Sequence, residues 1–158
     1  MGLRIIFDFD PDEPLTARVT CGEANAEVQC WDYQDGLNDL LRAIDFLLDV
    51  RHPSHAVGVW QLSGETWWVL NRYGGQLHFA LLALDESQFE FANRSYVTYY
   101  RPDHVLLEVE IPFHEFVKAV VDALHAAGEE RAREYQRVAG SRSPHDGLSR
   151  LESYLMKR

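Results

Sequence analysis

Seven histidines are the first residues in this chain that could do acid–base or metal chemistry. His52 and His55 bracket Pro53-Ser54, and a His-x-x-His spacing reaches one ion only if a turn bends both rings inward. As a surface loop, the same four residues need no ion. His78 lies in an apolar run with parity opposite to Leu77, Phe79 and Leu81, so it is expected on the more polar side of a strand. His104 and His114 flank a further run with Glu108 between them, and neither belongs to a His-Glu-x-x-His pattern. His114 and Glu115 are adjacent and would point apart on a helix. Nucleophilic chemistry has less to offer. Ser63-Gly64 lacks the Gly-x-Ser-x-Gly elbow, and Gly74-Gly75 lacks the lysine and helix start of a phosphate cradle. These patterns assign no catalytic residue, no metal ligand and no cofactor. A small enzyme or ligand-binding protein with a cleft between sheet and helices, lined by His78, His104 and Glu108, stands as the alternative reading.

The carboxylates offer binding rather than catalysis. Asp8, Asp10, Asp12 and Glu13 crowd a strand end and a turn bounded by Pro11 and Pro14, and a solvated acidic edge accounts for them. The same groups, with Asp32 and Asp35, could meet Arg and Lys of a partner. Net charge is −10, with eleven acids against three arginines in residues 1–49, a local excess of −8. Residues 50–117 carry −4 and residues 118–158 carry +2. Such a field repels nucleic acid and anionic lipid and speeds encounter with a basic partner. Solubility alone is the plainer account of an acidic chain. Tyr96, Tyr99, Tyr100 and Arg101 form a second binding candidate, since these residue types dominate interface hot spots and lie beside acids.

Something must position these groups. The chain has 158 residues, 46% apolar and 25% charged, enough for one domain over 1–158 with a buried core. No run approaches the ~20 apolar residues of a membrane span, and Met1-Gly-Leu-Arg4 lacks a secretory signal, so a cytoplasmic, membrane-free protein is expected. Leu3, Ile5, Phe7 and Phe9 alternate with polar positions as an early strand, and Leu15–Cys21 and Asn25–Tyr33 form a hairpin around Gly22-Glu-Ala-Asn25. If that hairpin closes at Asn25-Ala26, Cys21 and Cys30 face each other; a turn centred two residues earlier pairs Cys21 with Ala26. Reduced core thiols are the expected state.

Asp35 is a candidate N-cap for a helix over 35–50, whose stripe is Leu37, Leu40, Leu41, Ile44, Leu47 and Leu48. Asp39, Arg42, Asp45 and Asp49 fall on its other face, the last two against the helix dipole. An aromatic meander follows. Ala56–Leu62, Thr66–Leu70 and Gln76–Leu84 are strands, with Ser63-Gly-Glu65 and Asn71-Arg-Tyr-Gly-Gly75 as turns. Trp67 and Trp68 are neighbours there and must point to opposite faces. Residues 85–102 hold either one more strand around Tyr96–Tyr100 or a long loop. His104–Ile111 is a strand with Val105, Leu107, Val109 and Ile111 on one face. A second helix, over 112–138, buries Phe113, Phe116, Val117, Val120, Val121 and Leu124. A linker over 139–147 leads to a short C-terminal helix at Leu148, Leu151, Tyr154 and Leu155. The fold class is α+β: an antiparallel sheet of about six or seven strands with two main amphipathic helices against it.

This succession resembles small bacterial immunity proteins of polymorphic-toxin and contact-dependent inhibition systems. The Leu-rich helix with Asp35-Gly-Leu-Asn-Asp-Leu-Leu41, the meander and the Val109-Glu-Ile-Pro-Phe-His-Glu-Phe-Val117 step into a helix carry the likeness, which covers roughly residues 1–138. The resemblance implies an acidic α+β protein that binds a cognate toxin domain, or another basic protein, and blocks it without catalysis of its own. It transfers no individual residue. An exposed sheet edge would also allow a homodimer.

Overall fold

Leu3, Ile5 and Phe7 alternate with Arg4, Ile6 and Asp8, and the backbone obeys that period: β1 (Leu3–Asp8) buries Ile5 and Phe7. The computed structural model describes residues 2–8, 13–30, 36–62, 64–84, 105–128, 130, 131, 133 and 147–157. In it β1 pairs antiparallel with β2 (Leu15–Cys21), and β2 with β3 (Ala24–Cys30), as a three-stranded sheet. The β2–β3 turn is Gly22-Glu23, and Gly22 has φ 61. Cys21 therefore stands opposite Ala24 and Cys30 opposite Leu15, a register that neither expected turn gives. Gly22 takes the left-handed conformation a two-residue hairpin demands, so the chain reverses there rather than at Asn25. Both thiols are free, with Cys30 buried and Cys21 partly so.

The meander forms a second sheet, in the order β4 (Ser54–Gln61), β5 (Glu65–Tyr73), β6 (Gln76–Leu84) and β7 (Val105–Pro112). All its pairs are antiparallel. β5 runs through Asn71-Arg72-Tyr73, and the turn shrinks to Gly74-Gly75, with Gly74 at φ 62. Arg72, expected in a turn, is thus a buried strand residue. At the β6–β7 pair Leu81 faces Leu107 but Leu82 faces Val105, so Leu106 is an extra residue. This β-bulge reverses the alternation. Val105, expected to share a face with Leu107, packs instead with Trp67, Val69, Ala80 and Leu82 on the opposite side of the sheet.

Helix α1 (Gly36–Leu47) buries the stripe expected of it and lies on β4. Two glycines let it come close. A Cβ on Gly58 would sit 3.1 Å from the Leu40 Cα, and one on Gly36 would sit 2.6 Å from the Cys30 Sγ. The Gly36 carbonyl accepts a buried 2.8 Å hydrogen bond from Trp60 Nε1. Helix α2 (Phe113–Ala127) follows β7 directly and packs on β1. It breaks at Gly128 (φ 86), whose N–H returns to the Leu124 carbonyl, instead of running unbroken to Val138; Glu130, Arg131 and Arg133 are again helical. Helix α3 (Leu148–Met156) docks on α2 through Leu148 and Leu151.

One contiguous core joins both sheets with α1, α2 and α3. An aromatic chain crosses it: Phe7 to Trp60 at 6.4 Å, Trp60 to Trp68 at 5.0 Å, Trp68 to Phe79 at 5.8 Å and Phe79 to Phe116 at 4.8 Å. The fold is α+β, and among the described residues it has seven antiparallel strands divided between sheets of three and four.

Candidate functional site

The chemistry-bearing residues that the fold brings together lie on the four-stranded sheet, on the face turned away from the helices. Its register sets His55 opposite Asn71, Asn71 opposite His78 and His78 opposite Glu110, one polar rung across all four strands. His78 Nε2 lies 3.4 Å from Glu108 Oε2, diagonally across β6 and β7. Tyr73 Oη donates to Glu110 Oε1 at 3.1 Å. His78 and Glu108 thus do meet, but on the face away from the helices and not in the expected cleft between sheet and helices, while His104 falls outside the described residues. The His78 side chain is 23% exposed and that of Glu108 45%. At that exposure the pair behaves as an ordinary cross-strand contact of about 0.2–1 kcal/mol. Proton transfer would further require a substrate held against the imidazole. His52 occupies the bend before β4, where its carbonyl accepts from Ser54 Oγ at 3.2 Å. Among the described residues no group of three or more His, Cys, Asp or Glu is arranged to hold a metal ion.

The expected partner-binding residues divide sharply. Asp8 is exposed at the end of β1, opposite Thr16, and Glu13 is exposed two residues before β2 begins. Both therefore sit at one end of the three-stranded sheet, and Ile6, 41% exposed, shares the face of Asp8. Asp10, Asp12, Asp32, Asp35, Tyr96, Tyr99, Tyr100 and Arg101 lie outside the described residues. Other acids are engaged within the fold. Asp39 Oδ2 accepts the Val59 N–H at 2.8 Å, and Glu27 pairs with Arg18 at 3.2 Å. Glu65 accepts Trp67 Nε1 at 2.8 Å and Gln61 Nε2 at 3.1 Å.

Two residues escaped the sequence reading. Phe46 is 63% exposed on α1, next to Asp45 and one turn before Asp49. Its signal was legible: an aromatic residue outside the Leu stripe, on the face that carries Arg42 and Asp49. Arg72 had no such signal. Its Nη1 donates to the carbonyls of Leu47 (2.5 Å) and Leu48 (3.1 Å), and its Nε donates to that of Gly74 (2.8 Å). Its guanidinium lies 4.2 Å from the Phe113 ring centre and 5.8 Å from that of Tyr154. A buried cation so placed satisfies the last carbonyls of α1, which have no intrahelical donors. Its work is fastening, not chemistry.

No helix among the described residues is long and apolar enough to cross a membrane. Comparisons with protein-family models, curated proteins and solved structures each gave no match to the chain.

Proposed function

We propose that this chain is a protein-binding inhibitor of the immunity type, which occludes a basic toxin domain. One observation carries the reading: strong negative charge is paired with apolar side chains left in solvent. Net charge is −10, and Ile6 is exposed on the face of Asp8. Carboxylates of the first third, Asp8, Asp10, Asp12, Glu13, Asp32 and Asp35, would raise the encounter rate with a cationic surface. Desolvated rings, with Phe46 joining Tyr96, Tyr99 and Tyr100, would then slow dissociation. Arg101 would supply a bidentate contact to the partner.

The test is to look for a toxin domain encoded beside this chain, co-express the two, and follow association kinetics of the purified pair at rising ionic strength. Growth should be rescued. The association rate should fall about tenfold or more between low and physiological salt, and less steeply for an Asp8→Asn/Glu13→Gln variant. A flat salt profile would remove the steering, and absence of both rescue and complex would remove the function. A second reading, a small enzyme or ligand-binding protein, rests on the His78–Glu108 contact. It requires that His78→Ala abolish binding or turnover of a small molecule without affecting the protein complex.

A further inference from the structure

We infer that α3 is a detachable brace, which opens and closes as a unit under the control of an ion-pair latch while the rest of the fold stays shut. Little local structure sustains this helix. It is nine residues long, Gly147 at its N-cap gives no side-chain cap, and neither its first turn nor its last holds a charge suited to the dipole, Lys157 standing just past the end at the C-cap. A segment that short is not a stable helix alone, so α3 is helical because it is docked. The docking is slight: it buries two residues, Leu148 and Leu151, where α2 buries eight.

Tyr154 and Leu155 pack half-buried against the same core, and the remaining attachment is electrostatic. Arg150 reaches from α3 to the C-terminal end of α1, with Nε 2.7 Å from Asp45 Oδ1 and Nη2 3.1 Å from Asp49 Oδ2. The first contact has ion-pair distance but not hydrogen-bond alignment, since Asp45 Oδ1 has no hydrogen-bond partner among the described residues. His125 of α2 approaches Glu152 at 3.7 Å. The Arg150 side chain is 60% exposed and that of Asp49 87%, so dissolved salt competes directly for that arm of the latch, while Asp45 Oδ1 is shielded from solvent. Arg150 also neutralises two acids that oppose the negative end of α1.

The opening can stay local because of what lies underneath. Tyr154 stands edge-on to Phe113 at 5.5 Å and near the Arg72 guanidinium. Yet the three hydrogen bonds that Arg72 donates end on Leu47, Leu48 and Gly74, none of them in α3. Release of α3 would bare one side of a cation–aromatic stack and leave its fastening in place. That is a two-state element an ionic partner could bias.

Hydrogen exchange read by mass spectrometry on the full chain tests this, at about 0.05 M and about 1 M salt. Peptides spanning 148–156 should exchange at least about tenfold faster than those spanning 113–124, and faster again in high salt. Arg150→Ala should speed α3 by about three- to tenfold and remove most of the salt response, leaving α2 and the strands unchanged. Leu151→Ala should undock α3 alone. Lys118→Ala, which breaks an exposed pair with Asp122 on α2, should leave α3 as it was. The inference is overturned if α3 exchanges in step with α2, if Arg150→Ala leaves it unaffected, or if Leu151→Ala loosens the whole molecule.

Discussion

Arg72 shows how much one buried side chain can organise. Its guanidinium ties the end of α1 to the β5–β6 turn and lies over Phe113 at the start of α2. Arg72→Met would strand the carbonyls of Leu47 and Leu48 without a donor, and is expected to cost about 3–5 kcal/mol. Arg72→Lys keeps the charge but loses the planar fork, and should cost about 1–3 kcal/mol. Urea denaturation of the two variants beside the parent measures both. Sequence reading placed Arg72 in a turn because Asn71, Gly74 and Gly75 mark one. Its burial is decided by the arrival of α1, twenty-five residues earlier in the chain, at that end of β5. The thiols give the same lesson: the spacing of Cys21 and Cys30 allowed several registers, and the positive φ of Gly22 chose another.

Whole elements were more legible than their edges. The stripe of α1 and the alternation of β1 translate directly into buried faces, because period and burial share one cause. The polar face of α1 was readable only as solvent-facing, yet Asp39 reaches the open edge of β4 and takes the Val59 N–H. An unpaired donor on an edge strand invites a strand from another molecule. Asp39→Ala should therefore cost about 1–2 kcal/mol and produce concentration-dependent association in light scattering, whereas Asp39→Asn keeps an acceptor and should remain close to the parent. The β7 bulge was hidden for a related reason. Alternation from Val105 to Ile111 looks unbroken along the strand, and only the pairing with β6 shows Leu106 to be supernumerary.

At the scale of the molecule, the seven strands and three helices named among the described residues could be read from periodicity, but the division of the strands into two sheets could not. Neighbouring strands joined by tight turns announce their pairing; the meeting of β3 with β4 and β7 is a matter of packing across the core. The acidic excess was plain in the composition, whereas the share of it engaged in internal bonds, as at Asp39, Asp45 and Glu65, was not. The aromatic chain through the core has an optical consequence. Trp60 and Trp68 are fixed 5.0 Å apart with their planes inclined by 53°, close enough for the two indoles to share an excited state. Circular dichroism should show the coupling as two bands of opposite sign. Trp68 Nε1 has no acceptor among the described residues, so Trp68→Phe forfeits no hydrogen bond to them and should erase the doublet while the helical ellipticity persists. The native chain thus carries its own spectroscopic ruler for the packing of its interior, readable without a label.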